Sequence, residues 1–174
     1  IIKFIHMRCK TECFFYFFFV LLFAVCSCSN KANTTDYVKN LRGQKVWFEE
    51  SVTDTLKESK ILILMPDTGD CTTCAMQVYD WYIYKLDLDK HELNCDIIYV
   101  LNDSVRLDKS IANLMKRYKL NYIANLSSFY SENKILKDVP FTTFLIDKAN
   151  KIKLVGSPID NDKLWKLYKQ ALQK

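Results

Sequence analysis

Along the 174-residue chain the spacing of apolar positions changes several times, and each change predicts an element. The run "KILILM" at 60–65 is almost continuously aliphatic, which predicts a central strand buried on both faces. From residue 75 on, Ala75, Val78, Tyr79, Tyr82 and Leu86 recur every three or four residues, so a helix with one apolar face is predicted there. A second strand is predicted at "DIIYVL", 96–101, and a second helix near 107–118 with Ile111, Leu114, Met115 and Tyr118 along one side. The stretch 121–138 has no regular period and reads as irregular. "FTTFLID" at 141–147 and "KIKLVG" at 151–156, parted by "KAN", predict a β-hairpin. At the C-terminal end Asp160 or Asn161 is placed to cap a helix carrying Leu164, Leu167, Tyr168 and Ala171 at helical spacing. Upstream, "KVWFEESVTDTL" predicts a short strand and loop at the domain edge. A β-α-β-α beginning followed by a hairpin and a helix predicts one α/β domain with a single core.

The N-terminal pattern is different in kind. Residues 7–28, "MRCKTECFFYFFFVLLFAVCSC", hold a short basic start, twelve apolar residues from Phe14 to Val25, and then small residues. This is the shape of an export signal, shorter than the roughly 20 apolar residues of a membrane span. Its end, "VCSC", resembles the bacterial lipobox, with Val25 three positions and Ser27 one position before Cys28. The resemblance makes Cys28 the lipidated residue, residues 1–28 a lipoprotein signal peptide with Met7 as its start, and the mature protein exported and lipid-anchored. Residues 29–44 are polar and aperiodic and read as a tether without fixed structure, which leaves 45–174 as the folded domain.

Composition narrows the class. Hydrophobic residues make up 49% of the chain and aromatic residues 14%, with 3 Gly and 3 Pro, enough apolar material for a compact core. The formal charge of +5 falls to +3 once Lys3, Arg8, Lys10 and Glu12 leave with the signal. Lysines this scattered at so small a net charge give no nucleic-acid footprint.

Seven cysteines are present, at 9, 13, 26, 28, 71, 74 and 95, and the mature domain keeps the last three. One close pair and one odd cysteine do not make a disulfide-stapled scaffold, which would carry a larger even set. The pair lies in "PDTGDCTTCAMQ", directly between the first predicted strand and the first predicted helix. Taken alone, it is open to three readings: a redox centre, half of a metal site, or two packed thiols.

The order strand, C-x-x-C at a helix start, strand, helix, proline leading into a strand, hairpin and helix resembles the thioredoxin fold over about residues 45–174. The segment "VPFTTFLIDKANKIKLVGSP" is similar to the "TPTTFLIDKDGKI" segment of exported TlpA-type thiol-disulfide reductases, and the N-terminus to lipoproteins of Bacteroidota. The resemblance implies a central mixed sheet flanked by helices, and a periplasmic, membrane-tethered oxidoreductase that acts as a reductase on protein thiols and disulfides. It would draw electrons from an upstream membrane donor and need no metal or organic cofactor beyond its own disulfide. Cys71 is then the nucleophile, its thiolate favoured by the amides and dipole of a helix start, and Cys74, one turn on, closes the disulfide. Asp70, Thr72 and Thr73 surround the nucleophile, and the resemblance makes Pro140 a cis proline that contacts substrate together with Val139. Three features depart from the pattern: Phe141 is an extra residue between Pro140 and the strand, Thr72-Thr73 separates the cysteines, and Met65 stands where thioredoxin proper has a buried acid.

Two rival classes are a thioredoxin-fold binding or assembly module without redox turnover, and a zinc domain. Cys71, Cys74, His91 and Cys95 are four ligand types in order, but a continuous helix between Cys74 and His91 would part them by about 25 Å, far beyond the ~2 Å of zinc bonds. Cys95, leading into an apolar strand, is expected to be a buried inert thiol, His91 a solvated helix-end residue, and Trp81 and Trp165 packing residues.

Overall fold

The structure is a computed structural model, and it describes residues 30–49, 56–65, 75–102 and 109–173. By its contacts the chain divides into residues 1–37 and 38–174, and the second unit holds the sheet. Helix α1 is Asn30–Leu41. The tether expected at 29–44 is therefore helical over most of its length, and the compact unit takes in residues 38–44 as well. The physical reason is tertiary. Leu41 is buried in the core, and behind it the Gly43 N–H donates to the Ile152 carbonyl at 2.8 Å while the Gln44 carbonyl accepts from Ile152 at 2.9 Å. Gly43, at φ +83, makes the reversal between them.

Five strands follow: β1 Ser59–Met65, β2 Cys95–Leu101, β3 Asn121–Ala124, β4 Thr143–Ile146 and β5 Ile152–Val155. They lie in the order β3-β2-β1-β4-β5. β1 pairs β2 in parallel, with Ile61 opposite Ile97, and β2 pairs β3 in parallel. β4 runs antiparallel to β1, with Ile63 opposite Thr143, and β5 closes the predicted hairpin. Helices α2 Val78–Lys90 and α3 Lys109–Tyr118 link the parallel strands, α4 Leu126–Glu132 and a 3-10 turn Lys134–Leu136 lead into β4, and α5 Asp162–Leu172 follows β5. This is a mixed five-stranded sheet flanked by helices in the thioredoxin-like arrangement.

The continuous apolar runs explain the sheet. Alternate residues face opposite sides of a strand, and here both sides are covered. Ile61, Ile63, Ile97 and Tyr99 pack with Trp81, Leu88, Met115, Trp165 and Tyr168 on one face. Leu62, Leu64, Val100 and Phe144 pack with Phe48, Phe129 and Leu136 on the other. Each aliphatic side chain so buried contributes about 1.5–3 kcal/mol over leaving it exposed.

Three further elements differ from the sequence reading. The irregular stretch 121–138 contains β3, α4 and the 3-10 turn; four mostly exposed residues become a strand because β2 offers them a parallel edge. The segment 45–49 makes only an isolated bridge, Lys45 to Lys151, and residues 50–55 lie outside the described residues. In α2 the buried residues are Val78, Trp81, Lys85 and Leu88, whereas Tyr79 and Leu86 of the predicted face are exposed at 64% and 46%. The helix is rotated to place its largest side chain, Trp81, on the sheet. Lys85 tolerates the same side by extending its stem along apolar surface and holding Asp89 with its ammonium at 2.7 Å. The C-terminal helix is capped as expected, the Asn161 carboxamide oxygen accepting from the Leu164 N–H. Its buried residues are Trp165 and Tyr168, with Leu167 exposed.

Candidate functional site

Cys71, Cys74, Asp70, Thr72 and Thr73 lie outside the described residues, as does Cys28, but both ends of the connection that carries the pair are described. It leaves β1 at Met65 and rejoins the described chain at Ala75.

At the leaving end the Leu64 N–H donates to the Thr142 carbonyl at 2.7 Å, and the Asn102 N–H donates to the Met65 carbonyl at 3.2 Å. β4 runs antiparallel to β1, so its beginning, preceded by Val139, Pro140 and Phe141, sits at the same end of the sheet as the last residue of β1. The topology thus brings the last residue of β1, from which the connection departs, and the approach to β4 to one sheet end. Val139 and Phe141 are half-buried against the Phe129 side of the core, and Pro140 is exposed. No peptide bond is cis among the described residues, so the bond before Pro140 is trans, contrary to what the resemblance implies. The extra residue Phe141 is taken up ahead of the strand, which starts at Thr143. Asp138, at φ +63, turns the chain into this segment.

At the rejoining end Met76 is fully buried, and its carbonyl accepts the hydroxyl of Tyr99 at 2.8 Å. Tyr99 lies in the middle of β2 and is itself fully buried; burial raises its pKa well above the ordinary phenol value, so the hydroxyl keeps its proton and donates. Gln77 follows in the left-handed region, φ +46, and α2 proper starts at Val78. Two residues after Cys74 in the sequence, at Met76, the chain is thus bound to the core by one phenol and one buried methionine. Sequence reasoning did not find this link, since nothing in "DIIYVL" marks Tyr99 as a donor rather than a packing residue.

The remaining candidates are placed plainly. Cys95 is fully buried at the start of β2, and burial pushes its thiol up to about 12, a protonated and inert sulfur at neutral pH. His91 caps α2 at the exposed surface, its Nδ1 2.8 Å from the Asp87 carbonyl. α2 runs without a break from Val78 to Lys90, so His91 stands at the helix end opposite to Val78. Met65, 7% exposed, closes β1. Behind the helix, the Asp87 carboxylate accepts the Trp165 indole N–H at 2.7 Å and the Lys169 ammonium at 2.8 Å, fastening α2 to α5. Among the described residues no helix is long and apolar enough to cross a membrane.

The mixed sheet in the order β3-β2-β1-β4-β5, flanked by helices, is a thioredoxin-like fold. No family model matches the chain, and no curated protein does. Among solved structures it is similar to the thioredoxin domain of a thiol-disulfide oxidoreductase from Bacteroides vulgatus, at 14% identity over 70% of this chain and 84% of that one, with a TM-score of 0.47. It is similar to a thiol:disulfide interchange protein from Bacteroides sp., at 15% identity over 77% and 86%, TM-score 0.47. Yeast Sco1 with copper bound is similar at 10% identity over 70% and 82%, TM-score 0.49. Scores and identities this low give no residue a role, and the fold assignment rests on the order and direction of this chain's own strands.

Proposed function

We propose that the protein is an exported, lipid-anchored thiol-disulfide oxidoreductase that reduces disulfides of partner proteins on the periplasmic side of the membrane. What supports this reading is the C-x-x-C between β1 and α2 in the sequence, together with the Leu64 to Thr142 hydrogen bond that sets the end of β1 beside the segment leading from Val139 and Pro140 into β4. In the reaction the Cys71 thiolate attacks one sulfur of a substrate disulfide. A Cys71–substrate disulfide forms, and the other substrate sulfur leaves as a thiolate. The Cys74 thiolate then attacks Cys71, releasing the second substrate thiolate and leaving the Cys71–Cys74 disulfide. The substrate has gained two electrons and the protein has lost two, which a membrane-bound dithiol donor restores by the reverse exchange. Val139 and Pro140 contact the substrate chain, Asp70, Thr72 and Thr73 line the approach to Cys71, and Cys28 carries the lipid.

The test is the reduction potential of the pair in the full chain, held in non-ionic detergent and equilibrated with dithiothreitol or glutathione buffers before free thiols are trapped. A two-electron couple near the thioredoxin value of about −270 mV supports a reductase, and one near −120 mV an oxidase. Cys74→Ser is expected to accumulate a mixed disulfide through Cys71, and Cys71→Ser to form none. A pair that never closes would overturn the redox reading in favour of a binding module, which the Thr72-Thr73 spacer and the acids Asp67 and Asp70 beside Cys71 would suit.

A further inference from the structure

At the other end of the sheet, where β1 and β2 begin, lies an open-mouthed cavity of about 470 Å³. Four lysines line it: Lys57 just ahead of β1, Lys85 of α2, Lys116 at the end of α3 and Lys119 just beyond it. Met115 and Leu120 form an apolar floor, and the carboxylate of Asp96 is the acid in the wall.

The polar groups there are not fully used by the protein. Lys85 is only 7% exposed, and its ammonium gives two of its three protons to the oxygens of Asp89, at 2.7 and 2.9 Å. Asp96, 8% exposed, accepts the Lys57 backbone N–H at 2.9 Å. The Lys57 ammonium reaches Asp89 only at 3.5 Å. Lys116 and Lys119 have no ion-pair partner among the described residues. Four ammonium groups against the two carboxylates of Asp89 and Asp96 leave two positive charges uncompensated around a cavity with an apolar floor. Lys116 and Lys119 hold these charges at the exposed rim, next to the buried Lys85 that Asp89 already matches.

We propose that this cavity binds a small, multiply charged oxyanion, a phosphate or a polycarboxylate, at Lys57, Lys85, Lys116 and Lys119. The site is separate from the cysteine pair and does not depend on the redox reading. Two negative charges match the local excess, and the ammonium groups supply the donors that oxyanions accept.

The full chain, isotopically labelled in non-ionic detergent, is titrated with inorganic pyrophosphate, with citrate, and with sodium chloride at matched ionic strength. The expected result is saturable binding, with amide shifts concentrated near residues 57, 96 and 116–121. The double variant Lys116→Gln/Lys119→Gln should weaken it about tenfold, and Lys163→Gln/Lys166→Gln, on exposed α5 positions, should leave it unchanged. Tighter binding of pyrophosphate assigns a phosphate ligand and tighter binding of citrate a polycarboxylate. Shifts no larger than with chloride, or a double variant that binds as the parent does, would overturn the proposal. Lys116 and Lys119 are exposed, so the variant keeps its fold, and an unchanged unfolding midpoint checks that.

Discussion

Replacing Tyr99 by Phe removes one oxygen atom and keeps the ring, and the structure states what that oxygen does. Its hydroxyl donates at 2.8 Å to the carbonyl of Met76, with both residues fully buried. A buried neutral hydrogen bond contributes about 1 kcal/mol net, and the carbonyl left without its donor adds a desolvation cost of similar size. The expected loss is about 1–2 kcal/mol, or roughly 3–6 °C in Tm for a domain of this length. The effect should also be local, because the bond fastens the chain just after Cys74. Hydrogen exchange of amides 76–80 should therefore speed up more than exchange in β1 or β4. Tyr168→Phe is the matched control: its hydroxyl donates to the Gly156 carbonyl at 2.7 Å, far along the chain from Met76. It should cost a similar amount of stability in urea unfolding and leave exchange at 76–80 unchanged. If Tyr99→Phe costs less than about 0.5 kcal/mol, or if the two variants alter exchange at 76–80 alike, the phenol does not secure this segment and the reasoning fails.

The other expectations concern Cys95 and Asp87. The Cys95 thiol, buried and raised to about 12, should resist alkylation at pH 8 in the native protein and react at the rate of a free thiol only in denaturant; prompt native labelling at that position, read by peptide mass, would contradict its placement. Burial by itself would raise the Asp87 carboxyl, but the Lys169 ammonium and Trp165 indole N–H outweigh it and hold the group below the usual carboxylate range. Its contribution is therefore complete above the unfolded value of about 3.9 and is lost as pH falls through the lower folded value. Asp87→Asn should lower stability by about 1 kcal/mol at pH 7, as suits a part-exposed charged pair, and the gap to the parent should close as the solution is acidified below pH 4. A gap that is constant with pH would mean that the pair with Lys169 contributes nothing.

How much of this was legible in the chain depends on where each element draws its stability. β1 and β2 were legible because the residues that define them, Ile61 to Met65 and Asp96 to Leu101, are buried on both faces, and a near-continuous aliphatic run has few other ways to leave water. The hairpin and the Asn161 cap were legible because turn and cap chemistry act over three or four residues. The C-x-x-C was legible as a motif, as was its place between a strand and a helix.

Tertiary structure alone decided the rest. β3 is "NYIA", mostly exposed, and is a strand only because β2 holds its backbone in register from Ile98–Asn121 to Leu101–Ala124. The buried side of α2 was decided by the competition between Tyr79, Tyr82 and Leu86 on one stripe and Trp81 and Leu88 on another, which helical periodicity alone does not rank. Local sequence likewise could not show Leu41 entering the core, the Tyr99 hydroxyl holding Met76, or four lysines from separate segments meeting at one cavity. Short-range chemistry and continuous hydrophobic runs belong to the sequence by itself, because their free energy is settled within a few residues. The facing of helices, the edge strand and the two ends of the sheet belong to the tertiary structure, because their free energy comes from partners tens of residues away.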